Sequence, residues 1–156
     1  RISSSALRNA LANGDMQLAE KLLGRPYAIS GHVVHGQKLG RQLGFPTLNL
    51  AVANHLHHRK PASTGIFTAQ VLGLSDKPLP AVASLGVRPT VEDEGRVLLE
   101  THIFDYNEDV YGKIITVELL EKIRDEEKYS DLDTLTKAIA ADASHARNYF
   151  QKKAYV

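Results

Sequence analysis

The apolar positions of the chain change period twice. Between Ser3 and Leu23 they follow helical spacing in two pieces. Leu7 and Leu11 form the first behind a Ser3 or Ser4 cap, and Asn13-Gly14 breaks it; Asp15 can cap a second carrying Met16, Leu18, Leu22 and Leu23, which Gly24 and Pro26 end. From Tyr27 to about Leu120 short β-type runs alternate with Gly, Pro and Asp clusters. The predicted strands are Ala28 to Val34, Thr47 to Val52, Gly65 to Leu72, Pro80 to Val87, Val97 to Phe104 and Ile114 to Leu120. Helical spacing returns in Leu132, Leu135, Ile139, Ala143, Ala146 and Phe150, with Ser130 and Asp133 as a capping pair. Strands with no helical pattern between them predict a mainly β fold, an antiparallel sandwich or barrel, with an N-terminal helical hairpin and a long C-terminal helix packed on it. Closure into a barrel would leave no open edges.

Composition narrows the function. At 156 residues the chain is the size of one domain. Basic and acidic residues number 19 and 18, for a net charge of +1, so there is no electrostatic footprint for gripping nucleic acid. No apolar run approaches the roughly 20 residues that cross a bilayer, and Arg1-Ile2-Ser3-Ser4-Ser5 lacks the apolar stretch of a signal peptide. The expectation is a cytoplasmic protein with no membrane partner. Without cysteine there is no disulfide, thiol nucleophile or Cys-based zinc site, and chemistry falls to oxygen and nitrogen groups. A polar loop carrying His55, His57, His58, Arg59 and Lys60 reads as a solvated linker rather than a metal site. Opening on Arg and running at once into a helix, the chain reads as a piece of a longer polypeptide.

Candidate chemistry concentrates in residues 31 to 49. Glycines at 31, 36, 40 and 44 permit close backbone approach and positive φ, as a loop arching over phosphates requires, and Lys38 and Arg41 inside it can neutralise phosphate oxygens. The spacing is not that of a Walker A loop, because Gly36 is followed by Gln37 rather than by Lys and then Ser or Thr. Pro46 and the alternation Thr47-Leu48-Asn49-Leu50 point to a strand next, which removes helix-dipole binding of the Rossmann kind. A glycine-rich hairpin at a barrel corner accounts for the glycines equally well. Thr47 and Asn49 share one strand face and carry hard oxygens suited to Mg²⁺ on nucleotide phosphates, although a solvated strand face also takes such residues.

The pattern Gly-x-Val-x-x-Gly-x-x-x-Gly-Arg-x-Leu-Gly-Phe-Pro-Thr-x-Asn over residues 31 to 49 resembles the signature of riboflavin kinases, above all the C-terminal kinase module of the bacterial bifunctional riboflavin kinase/FAD synthetases (FMN adenylyltransferases). Gly65-Ile66-Phe67, Gly86-Val87-Arg88-Pro89-Thr90, Leu99-Glu100-Thr101-His102-Ile103-Phe104-Asp105 through Tyr111-Gly112, and Arg124-Asp125-Glu126-x-Lys128-Tyr129 resemble further segments of that family in order and spacing. Ile2 to Arg8 resemble the last motif of the adenylyltransferase module. The resemblance therefore divides the chain into a helical linker or remnant over 1–23 and a kinase barrel with its helix over 24–156.

The resemblance implies a six-stranded Greek-key barrel that transfers the γ-phosphoryl group of ATP to the riboflavin 5′-hydroxyl, giving FMN and ADP. Gly36, Lys38, Gly40 and Arg41 would lie over the ATP phosphates. Pro46, Thr47 and Asn49 would also bind on the ATP-phosphate side, Thr47 and Asn49 holding Mg²⁺ and phosphate oxygens. Glu100 would be the general base, on a strand face shared with Leu98, His102 and Phe104 that partly desolvates it. All of these are expected to converge at one barrel mouth. Arg124 and Tyr129 fall on the flavin side; for Arg124 a salt bridge to Asp125, Glu126 or Glu127 is the alternative, and Tyr129 and Phe104 are equal candidates for packing or stacking. His102 either touches nucleotide or fills the barrel. Leu48, Arg88 and Val110 depart from the residues usual in the family, and Arg88 brings a bulky charge near the motif. The partners implied are riboflavin, ATP and, in a longer chain, an adenylyltransferase module. A non-catalytic barrel binding flavin or nucleotide and an interaction scaffold remain as alternatives.

Overall fold

The computed structural model describes residues 4–35, 39–52, 61–88 and 96–154, with the side chains of residues 39, 40, 88 and 96 left aside. Its elements in chain order are α1 (Ser4–Ala12), α2 (Met16–Leu23), β1 (Tyr27–Val34), α3 (Leu39–Gln42), β2 (Leu48–Ala51), β3 (Gly65–Leu72), β4 (Leu79–Arg88), β5 (Arg96–Ile103), β6 (Ile114–Arg124) and α4 (Leu132–Ala154). The strands close into an antiparallel barrel in the order β1-β2-β5-β4-β3-β6. β3, β4 and β5 form a meander and β6 returns beside β3, which is a Greek key. The predicted strands stand at these places with small shifts at their ends, except that β6 runs on to Arg124.

Alternation along the strands sorts side chains to the two sides of the wall. Leu50, Phe67, Ala69, Val71, Leu85, Leu99, Val117 and Leu119 fill the interior. The helical hairpin closes one end: Ala10, Leu11, Met16 and Ala19 join the same apolar cluster. Asp15 caps α2 by accepting a hydrogen bond from the Leu18 N–H at 3.1 Å, and Gly24 ends it in the left-handed region at φ +77°. The polar 51–65 connection is expected to be a linker; its histidines and Lys60 lie outside the described residues, as do Gly36, Lys38, Pro89 and Thr90.

A second, smaller apolar cluster lies outside the barrel. Val82 and Phe104 on the outer wall meet Ala143 and Ala146 of α4, flanked by Phe45, Ile66 and Ile123. This is where the C-terminal stripe docks, although Leu132 at its start is 58% exposed. The helix is capped by Asp131, not by the expected Ser130 and Asp133: its carboxylate accepts from the Thr134 N–H at 2.8 Å and the Thr134 hydroxyl at 2.9 Å. A carboxylate can accept both bonds at once, whereas a serine has one oxygen to offer.

Two register shifts re-aim the end of β6. Strict alternation from Ile115, Val117 and Leu119 would carry Glu121 into the barrel interior. Instead the pairing slips between Thr68 and Ala69 and again between Ile66 and Phe67, so that Glu121 pairs with Thr68 and Arg124 with Ile66 on the outer face. A bulge turns a side chain without breaking the strand. Glu121 accepts a hydrogen bond from the Thr68 hydroxyl at 2.9 Å, and its carboxylate lies 3.0 Å from Nε2 of His145 on α4.

Candidate functional site

Between the outer wall of the barrel, the turn after α3, the segment following β6 and α4 lies a cavity of about 650 Å³. Ile66, Val82, Leu135 and Ile139 give it an apolar floor, with Phe45 and Tyr129 at its sides, and Thr47, Ser84, Glu100, His102, Arg124 and Asp142 supply its polar lining. The expected barrel mouth is thus corrected to the barrel's flank. The reason is the pleat: Leu99 and Thr101 occupy the interior, so Glu100 and His102 must face out.

The ladder pairs place the candidate residues in one row across the wall. Val34 is paired with Asn49, Asn49 with Glu100, Glu100 with Ser84, Ser84 with Ile66, and Ile66 with Arg124. Side chains of directly paired residues share a face with Cβ atoms roughly 4.5–5.5 Å apart. Glu100 and the Thr47/Asn49 pair, distant in sequence, therefore lie on one surface. Leu48 and Val110, two departures from the family pattern, lie away from it. Leu48 packs on the interior cluster and Val110 is buried within it.

Asn49 is buried, and its Oδ1 has no hydrogen-bond partner among the described residues. An oxygen withdrawn from water without a partner costs free energy unless something else meets it. Together with the nearby Thr47 hydroxyl, this is a donor set of hard, neutral oxygens that fits Mg²⁺ carried on phosphates, an ion that keeps most of its ligands from phosphate and water. Among the described residues no cluster of three His, Asp or Glu side chains offers a metal an all-protein site.

The loop expected over the phosphates is only partly described. Leu39–Gln42, including Gly40 and Arg41, makes one helical turn, with Arg41 exposed at its end. Gly44 follows at φ +88°, where a side chain would be strained, and turns the chain into Phe45 and Pro46. His102 does not fill the barrel, one of its two expected places. Its Nδ1 lies 2.7 Å from the Pro46 carbonyl, and its ring packs edge-on against both Phe45 and Phe104.

Arg124 pairs with none of its sequence neighbours' carboxylates. Its Nε and Nη2 donate to the two carboxylate oxygens of Asp142 at 2.9 and 2.7 Å, and Nη1 donates to the Asp125 carbonyl at 3.1 Å. The Asp142 hydrogen bonds hold the guanidinium pKa above its ordinary value. Arg124 also lies 5.7 Å from the centre of the Tyr129 ring, whose hydroxyl donates to Glu127 at 3.1 Å. Burial raises the Tyr129 pKa, so that phenol stays neutral. Asp142 went unread in the sequence, though a signal was present: it is a charged residue inside the apolar stripe of Ile139, Ala143 and Ala146.

Glu126, read in the sequence only within a family segment and as an alternative partner for Arg124, meets β4 instead. Ser84 donates to it at 3.3 Å, and a Cβ placed on Gly86 would overlap its carboxylate. Glycine at 86 thus makes a seat for Glu126 beside Glu100, where the two glutamates, Ser84 and Gly86 line a small polar pocket. No helix among the described residues is long and apolar enough to cross a membrane.

Comparison with known proteins bears on the family and the fold. The chain is 49% identical over 150 residues to the bifunctional riboflavin kinase/FMN adenylyltransferase of Escherichia coli (strain K12), covering 96% of the chain and 46% of that protein. It is 39% identical over 152 residues to the protein of the same description from Bacillus subtilis (strain 168), covering 96% and 47%. The chain thus spans about half the length of the curated relatives it matches. Among solved structures, one described as a macrolide-efflux protein from Streptococcus pneumoniae superposes with a TM-score of 0.82 at 34% identity, covering 95% of this chain and 47% of that one. The riboflavin kinase of Trypanosoma brucei shares the fold, with a TM-score of 0.56 at 24% identity and 81% coverage of each chain. A profile of the flavokinase (riboflavin kinase) family matches residues 23–150, and the chain belongs to that family.

Proposed function

We propose that this chain is the kinase module of a longer bifunctional enzyme and transfers the γ-phosphoryl group of ATP to the 5′-hydroxyl of riboflavin. The observation that carries the reading is the pairing of Asn49 with Glu100 beside the flank cavity, which sets a hard-oxygen pair next to a carboxylate. The cavity, about 650 Å³ with an apolar floor, suits a flat tricyclic ring with a polar chain running toward Glu100.

Phosphoryl transfer asks little covalent work of a protein; it asks for positioning, charge neutralisation and a base within reach. Glu100 takes the proton of the 5′-hydroxyl as that oxygen bonds to the γ-phosphorus and the bond to the β,γ-bridging oxygen breaks, releasing ADP. Thr47 and Asn49 would hold Mg²⁺, which when bound neutralises charge on the phosphates. Gly40 and Arg41 would lie over the phosphates, together with Gly36 and Lys38, which fall outside the described residues. Arg124 and Tyr129 border the ring pocket, with Arg124 held in place by Asp142. The N-terminal hairpin links this module to an adenylyltransferase in the full-length protein, and the working place is the cytoplasm.

Incubation of the purified chain with riboflavin, ATP and Mg²⁺, followed by chromatographic separation of flavins, tests the reading. FMN is the expected product. Flavin binding without FMN at high enzyme concentration would leave the non-catalytic barrel instead.

A further inference from the structure

We infer that His102 is a positioning residue for this reaction, acting through the Pro46 carbonyl to hold Thr47 and Asn49 against Glu100. The inference rests on the kinase reading above. The β2–β5 ladder ends where Leu48 pairs with Thr101. It cannot run on through Pro46, which has no N–H to donate. Asn49 pairs with Val34 on one side and Glu100 on the other, but Thr47 lies beyond the last pair of both ladders, just where the position of its hydroxyl matters.

His102 takes over where the ladder stops. It is the next outward residue after Glu100 on β5, and its Nδ1 lies 2.7 Å from the Pro46 oxygen. A carbonyl only accepts, so Nδ1 carries the proton. The ring's rotation is fixed by its two aromatic neighbours: Phe45 and Phe104 stand 5.6 Å from it at 80° and 76°. One imidazole thus grips Phe45 through its edge and Pro46 through a hydrogen bond, and Thr47 is the following residue. Glu100 and His102 share a strand and a face, so the base and the device that positions the phosphate-side oxygens move as one body. A displacement near 1 Å at a reacting site costs as much as roughly 100-fold in rate, so such a clamp has kinetic consequences out of proportion to one hydrogen bond.

The test compares His102→Phe, which keeps a ring between Phe45 and Phe104 but removes the donor, with His102→Asn, whose side-chain amide can donate to the same carbonyl. Initial rates of FMN formation are measured against Mg-ATP and against riboflavin separately, and amide hydrogen exchange is followed at Thr47 and Leu48. His102→Phe is expected to raise KM for Mg-ATP about tenfold with KM for riboflavin little changed, and to speed exchange at both amides; His102→Asn recovers most of both. An unchanged KM for Mg-ATP in His102→Phe, or an equal loss toward both substrates that His102→Asn does not repair, overturns the inference. If His102→Phe does not fold, the ¹⁵N spectrum of the unmodified imidazole decides: a proton on Nδ1 supports the clamp and a proton on Nε2 alone overturns it. If the unmodified chain makes no FMN, the kinase reading fails separately, and the spectrum and exchange rates still report whether the clamp exists.

Discussion

Asn49 and Glu100 face each other across the β2–β5 ladder on the outside of the barrel, while the next pair along, Leu50 and Leu99, is buried in its core. The two relationships are one. Slipping β2 by a single residue would turn the leucine outward and the amide inward, so burial of Leu50 against Leu99 is what sets the polar pair at the flank. The site inherits its geometry from the core.

Glu100→Gln removes the proton acceptor and keeps the shape. If Glu100 is the base, kcat for FMN formation falls roughly 10²- to 10⁴-fold while Mg-nucleotide still binds. Parallel measurement of kcat and of nucleotide affinity by calorimetry checks this; an unchanged kcat removes Glu100 from the role.

Asn49 sets function against stability. Its buried Oδ1 lacks a partner among the described residues, so Asn49→Ala removes an unmet oxygen even as it opens a small void, and the two effects oppose each other at about 1–3 kcal/mol each. We therefore expect a nearly unchanged melting temperature and a much higher Mg²⁺ requirement, with Thr47→Ala behaving alike in the second respect. Titration of Mg²⁺ against rate, beside a thermal melt, distinguishes this from a structural asparagine, whose loss would lower the melting temperature with no change in metal dependence.

The parts of this arrangement that could be read from sequence are those set by short-range pattern. Strand and helix identities follow from period-two and period-3.6 spacing, and the α2 cap from Asp15. What escaped is set by long-range closure. Whether Glu100 faces a barrel's mouth or its flank depends on which strands close the barrel. The alternation of β6 breaks at Leu119-Leu120 and Glu121-Lys122, beside the register shifts that set Glu121 and Arg124 on the outer face, but which way the strand is re-aimed depends on its pairing with β3. Asp142 became visible as the partner of Arg124 only once α4 was laid on β4 and β3.

That Arg124–Asp142 pair should behave as a buried one. Asp142 is 8% exposed and Arg124 26%, and the bonding is bidentate. Asp142→Ala strands a guanidinium beside Tyr129, and we expect a loss of roughly 3 kcal/mol, the lower end for breaking buried pairs because Arg124 keeps some water. Replacing both by apolar residues, Arg124→Met with Asp142→Leu, should restore much of that. Urea denaturation of the four members of the cycle measures it; additive losses would show that the pair is not coupled.

Gly86 is expected to matter through Glu126 rather than through its own backbone. An added methyl would overlap the far end of the Glu126 side chain and turn it out of its seat beside Glu100. Gly86→Ala should weaken riboflavin binding roughly tenfold, read by quenching of flavin fluorescence, and Glu126→Ala in the same chain should recover part of it. No loss in Gly86→Ala would mean that Glu126 swings aside at no cost, and a loss that Glu126→Ala does not repair would show that the effect does not run through Glu126.

Acid should loosen the docking of α4 at Asp105. Arg147 donates to both its oxygens at 3.2 and 3.4 Å while the guanidinium lies over Phe104 at 4.3 Å, and these hydrogen bonds hold the Asp105 pKa below its ordinary 3.8. A depressed folded-state pKa means that the unfolded chain takes up its proton first as pH falls. The contribution is therefore complete above pH 3.8, declines below it, and is gone once the pH has passed the lowered folded-state value. Asp105 also sits at φ +55°, a backbone conformation that asparagine tolerates, so Asp105→Asn removes the charge without new strain. The urea midpoints of the two proteins should differ near neutral pH and converge in strong acid. A difference that persisted in strong acid would assign the effect to packing against Phe104 instead of to the carboxylate's charge.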